Sequence, residues 1–224
     1  MRILKKTVLI ASVLILTIGI IVGIWQYNNI MVIVKTLTTS GDEIAQEIDK
    51  SKKDFEKEVQ AKYPLVISDL TAEEERKLMK GELSVEDAVA TLTQKYEDAK
   101  KTSVKVSQAE VDRLIGDKAI ELYSLKAYYL GQLGQLEASV KTDYLALPKE
   151  KRNLIGKQEL VSKYMNTALG LLKQCDARVE ELLAELKTGL EAINADTSII
   201  QTIRDAYENE KNLKKAYYIK LLEE

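Results

Sequence analysis

Residues 161–193 read VSKYMNTALGLLKQCDARVEELLAELKTGLEAI. Val161, Met165, Ala168, Leu172, Cys175, Val179, Leu182, Leu186, Gly189 and Ile193 follow one another at alternating steps of four and three. A 3.5-residue repeat keeps one stripe of a helix facing a neighbour, so this segment predicts a helix over about 157–193 wound left-handedly on a partner. Leu171, Leu183 and Leu190 widen the stripe beyond a two-stranded seam, which favours a bundle.

The partner is expected just upstream. Ser107-Gln108-Ala109-Glu110 is a capping signature, and a second long helix is predicted from it to about Ala146. Its stripe includes Val111, Ile115, Leu122, Leu125, Tyr129, Leu133, Leu136, Val140 and Tyr144. Pro148 to Gly156 connects the two. Long helices of matched length with a short connection pair most simply as an antiparallel hairpin.

Shorter helices surround this hairpin. Gly41 to Lys62 carries Ile44, Ile48, Phe55 and Val59 on one face and stops before Tyr63-Pro64, because the residue preceding proline disfavours the helical region. Thr71 with Glu74 makes a capping box for a short helix that Gly81 ends. Ser84 opens another, to about Lys101, and Asp196 caps a last helix to about Leu222. The last helix and Ser84–Lys101 are expected to lie along the hairpin. No stretch alternates like a strand for long, so the expected class is all-α.

The N-terminus is of another kind. Val8 to Trp25 is almost wholly apolar, and 18 helical residues cover about 27 Å, close to the hydrocarbon thickness of a bilayer. Arg2, Lys5 and Lys6 precede it, whereas Asp42 and Glu43 follow soon after. That asymmetry predicts a single-pass anchor with a cytoplasmic N-terminus and an extracytoplasmic bulk, in contact with lipid through residues 8–25. A cleaved signal peptide would have a shorter apolar core and a small-residue cleavage site. Gly19 and Gly23 form a GxxxG spacing through which two spans can approach closely. The segments expected are an anchor over 1–35, a juxtamembrane helix over 36–63, short helices and a linker over 64–106, and the hairpin with its last helix over 107–224.

Composition narrows the functional classes. All 35 acidic residues and 29 of the 33 basic ones lie beyond Lys35, a net of −6. No basic footprint for nucleic acid results. Histidine is absent and Cys175 is the one cysteine, which removes His-centred triads, imidazole metal sites and intrachain disulfides. No phosphate loop, nucleophile elbow or calcium loop occurs. No cofactor, metal or catalytic residue is expected. Cys175, mid-helix on the apolar seam, reads as a small buried hydrophobe.

Two features suit a binding surface instead. The chain has 11 tyrosines against one Phe and one Trp, and tyrosine joins an apolar ring to a polar tip. Tyr123, Tyr128, Tyr129, Tyr207 and Tyr217, with Glu210 between the last two, form the candidate ligand or partner surface. Rings at helical spacing are also ordinary packing residues, and Lys214 stands one turn from Glu210, ready to pair with it. The expected function is therefore a non-catalytic, membrane-anchored scaffold, spacer or protein-interaction module, with a homodimer as one assembly. The alternative is a membrane-tethered ligand-binding bundle with a Tyr-lined site.

Overall fold

The computed structural model describes residues 30–102, 109–151 and 154–223. They form seven α-helices and a single 3₁₀ turn, with no strand among them. The helices are α1 (Ile30–Thr38), α2 (Gly41–Lys62), α3 (Ala72–Met79), α4 (Val85–Thr102), α5 (Ala109–Ala146), α6 (Leu154–Ala192) and α7 (Ser198–Glu223), with the 3₁₀ turn Lys149–Lys151 between α5 and α6. The apolar run Val8–Trp25, Gly19, Gly23 and the Ser107 cap lie outside the described residues. Among those described, no helix is long and apolar enough to cross a membrane.

Local chemistry fixes the helix ends. The Glu74 N–H donates to Thr71 Oγ1 at 3.2 Å, and the Thr71 N–H donates to Glu74 Oε2 at 2.7 Å, so two backbone donors left over at the start of α3 are satisfied reciprocally. Ser40 and Glu43 repeat the device at α2, at 3.3 and 2.9 Å. At the end of α3, Gly81 takes φ 72°. Its N–H reaches the Leu78 carbonyl, and the Glu82 N–H reaches that of Lys77, which is a Schellman closure. Asn194 (φ 53°) closes α6 the same way, with the Ala195 N–H on Leu190. Asp196 then accepts the Ser198 N–H at 2.9 Å to open α7.

The chain divides into two compact units. Described residues 30–52 and 205–223 belong to the first, and residues 53–204 to the second. In the first, Val32, Ile44, Ile48, Leu213 and Ala216 are buried together, with Tyr217 against them. Its polar ties include Lys35 with Glu47 and a 2.7 Å hydrogen bond from Asn209 to Ser51. In the second, Leu65, Ile67 and Leu70 of the segment before α3 join Leu78, Ala88, Leu92, Tyr96, Ala127 and Leu130 in one core. The last helix thus serves both units. Its start stays beside α6, where Arg204 forks onto Glu180 at 2.9 and 2.7 Å, while its part from Asp205 belongs to the first unit.

Within the second unit α5 and α6 run antiparallel. Leu114 lies against Gly189, Lys118 pairs with Glu185 at 2.6 Å, and Asp143 pairs with Lys163 at 2.6 Å. α3 and α4 cover the first two-thirds of α5. Gly134 is where α3 comes nearest, since a Cβ there would clash with the Met79 backbone. From Gln135 to Lys151 no residue is buried, and in α6 before Val179 only Gly156 and Leu160 are, among the residues described. The far part of the hairpin is therefore a two-helix arm. The heptad seam reflects this. Val179, Leu182, Leu183, Leu186 and Leu190 are buried, whereas Met165, Leu172, Cys175 and Ile193 are half-buried. One facing helix covers only part of a stripe that a bundle covers whole. Val161 lies on α6, but its side chain is outside the description.

Candidate functional site

Three places in the second unit gather polar or exposed groups. The first is a shallow groove of about 490 Å³, lined by Thr93 and Tyr96 of α4, Ile120, Glu121, Ser124 and Leu125 of α5, and Arg178 and Leu182 of α6. Tyr96 forms its fixed wall. The ring is buried, and its hydroxyl donates to Asp117 Oδ1 at 2.5 Å. Burial, then the Asp117 contact, pushes the phenol well above its usual range, so it stays protonated and is no proton shuttle near neutrality. Arg178 pairs with Glu181, and Glu121 lies 3.0 Å from Lys118. The lining holds one carboxylate, already paired. A second depression on α4 has two, Asp87 and Asp98. They stand eleven residues apart on one helix, about 16 Å by the standard rise, beyond the roughly 5–9.5 Å that paired-carboxylate hydrolysis uses.

The second place is a buried ion cluster. Lys126 of α5 reaches Asp69 at 2.5 Å and Glu75 of α3 at 2.7 Å. The Asp69 N–H donates to Glu56 at 3.0 Å, and its own Oδ1 accepts the Leu70 N–H at 2.7 Å. One cation shared by two carboxylates ties α2, the segment before α3, α3 and α5 together. Its groups are all spoken for, so its role is to fix the packing.

The third is the apex of the hairpin. The Lys151 N–H donates to the Pro148 carbonyl at 2.9 Å. The Lys151 carbonyl lies so close to Gly156 that a Cβ there would clash with it, and Leu147 stands beside the same glycine. Only glycine lets the chain turn so tightly. Leu145 and Ile155 flank this contact and are 55% and 66% exposed.

The candidate tyrosines are divided between the two units. Tyr123 packs on the core of the second unit. Tyr129 is buried, and Tyr128 is half exposed against it, edge to face at 5.2 Å. Burial raises the Tyr129 phenol, and the charges of Cys175 on α6 and of Tyr128 add to that effect. Tyr207, Glu210 and Tyr217 belong to the first unit. There Lys211 lies 4.8 Å over the Tyr207 ring, Lys214 sits 2.8 Å from Glu210, and Tyr217 meets Tyr218 edge to face. The groove's own tyrosine is Tyr96, which sequence reasoning passed over. Its i, i+4 spacing from Leu92 on the apolar face of α4 is the signal that marks it as buried.

Among the described residues no group of Cys, Asp and Glu is placed to hold a metal ion. Comparison with protein-family models, curated proteins and solved structures finds no match to the chain.

Proposed function

We propose that the chain is a non-catalytic, single-pass membrane protein whose helical part acts as a scaffold, spacer or protein-interaction module on the outer face of the membrane. The observation that carries this reading is the two-helix arm beyond Gly134. Residues 135–151 order a helix end and a turn in which no side chain is more than half-buried against the facing helix. Ordering a segment costs about 1–2 kcal/mol per residue in backbone entropy, so an arm that encloses no core is best understood as a surface for something else. The alternating four–three stripe of α6 supports left-handed winding of the arm.

The anchor rests on the apolar run Val8–Trp25 and its basic flank. A ligand-binding bundle is the competing reading, favoured by the groove beside Tyr96. Small-molecule sites usually bury most of their ligand, and this groove is open. Phase partitioning tests the anchor. Full-length protein is expected in the detergent phase, and a chain beginning at Ile30, which keeps the Val32 contact, in the aqueous phase. Uncleaved full-length protein in the aqueous phase would overturn the proposal.

A further inference from the structure

The apex of the α5–α6 arm brings exposed aliphatic and basic side chains together. Four large hydrophobic side chains are strongly exposed among the described residues, and two of them, Leu145 and Ile155, are at the apex. The contact of Leu147 with Gly156 holds them at the same end of the hairpin. Around them the charge reverses. Residues 141–163 contain Lys141, Lys149, Lys151, Arg152, Lys157 and Lys163 against Asp143, Glu150 and Glu159, a net of +3 in a chain that is acidic overall. Lys149 and Lys151 are exposed.

We propose that this apex docks on an anionic lipid surface. The end of the arm carries two exposed aliphatic side chains, Leu145 and Ile155, together with the exposed Lys149 and Lys151. That arrangement suits the headgroup layer, where the aliphatics enter the acyl boundary and the lysine stems lie along it with their ammonium groups among the phosphates. The charge is complementary to phosphatidylglycerol-type headgroups, and each basic residue near such a surface contributes separately. Two aliphatics and a few lysines bind weakly alone. A chain already held at a membrane meets the surface at high effective concentration, which makes weak contact sufficient. The inference rests on that anchoring.

The test uses the full chain in phosphatidylcholine discs, with Cys175→Ser and Ala146→Cys to place an environment-sensitive fluorophore beside Leu145. Ala146 is exposed, so the label displaces nothing buried. Added vesicles of phosphatidylglycerol mixed with phosphatidylcholine should brighten the label, and vesicles of phosphatidylcholine alone should not. Placing the anionic lipid in the disc itself, instead of in the vesicles, shows whether the apex meets its own membrane or a facing one. Lys149→Gln with Lys151→Gln should weaken the response by about 25-fold, taking about fivefold for each lysine near an anionic leaflet. Leu145→Ser with Ile155→Ser should abolish it while helical content stays unchanged. Equal brightening on both vesicle types, or none with the anionic lipid in either the vesicles or the disc, would overturn the proposal. So would a response that survives both pairs of substitutions, or one that grows with protein concentration without lipid and marks a second copy as the occupant. Failure of the anchor would appear separately, as full-length protein that does not enter discs.

Discussion

The Lys126 ammonium lies 2.7 Å from the Glu75 carboxylate, joining the middle of α5 to α3 inside the second unit. Asp69, 5% exposed, shares the same cation. Removing one member of a buried ionic group leaves the others uncompensated, which is far more destabilising than the group is stabilising. Lys126→Met should cost about 3 kcal/mol in urea unfolding of a chain beginning at Ile30. Adding Asp69→Asn and Glu75→Gln should recover part of that loss. If the triple variant is less stable by the sum of the single effects, the three groups do not act as a unit.

Glycines at two positions should respond with opposite signs. At Gly134 a methyl group would meet the Met79 backbone, which cannot swing aside as a side chain can. Gly134→Ala should destabilise by about 1–3 kcal/mol, the usual range for overpacking. Gly170 in α6 has nothing within 4 Å of the same position. Gly170→Ala should stabilise by about 0.5–1 kcal/mol through helix propensity alone. Thermal melts of the two variants check both, and a destabilising Gly170→Ala would mean the arm packs more tightly there.

Tyr96 predicts a pH dependence. Its phenol titrates near 10 in the unfolded chain and higher in the fold, through burial first and Asp117 second. The folded state holds the proton more tightly, so this stabilisation is complete below pH 10 and declines as pH rises above it. Tyr96→Phe should lower stability near neutrality by about 1 kcal/mol for the lost hydrogen bond. Its stability should then fall less steeply above pH 10 than that of the parent. Parallel curves above pH 10 would remove Tyr96 as the cause.

Much of the helical layout was legible because its signals are local. Thr71 with Glu74, Gly81, Pro64 and Asp196 act on backbone groups within a turn of themselves. The Ser40–Glu43 cap has the same grammar, and it starts α2 one residue ahead of Gly41. The α5–α6 pairing was legible from matched length and a short turn. What was not legible depends on distant partners. Nothing in the sequence near Lys126 points to Asp69, 57 residues away. Nor does the pattern of α7 show that Leu213 and Ala216 would bury with Val32 and Ile44. Tyr128 and Tyr129 are neighbours of the same type, yet one is half exposed and the other buried. Residue identity did not separate them; the facing helix did.

Cys175 tests whether the hairpin closes within one chain. It lies half-buried on α6, which pairs antiparallel with α5. In a parallel dimer of α6 helices two Cys175 side chains would meet across the seam, within reach of a disulfide. With α5 covering the seam, mild oxidation should leave the full chain monomeric on non-reducing gels. Rapid and near-complete dimer formation, abolished by Cys175→Ser, would replace the intrachain hairpin with a dimeric stalk.

The most direct test of a membrane-anchored outer module is labelling in intact cells. Ser139 is exposed on the arm, and Ser139→Cys in a Cys175→Ser background gives one accessible thiol. A membrane-impermeant maleimide should label it before lysis, in protein that sediments with membranes and is released by detergent but not by salt. Labelling that appears only after lysis, or uncleaved protein that stays in the soluble fraction, would contradict the account.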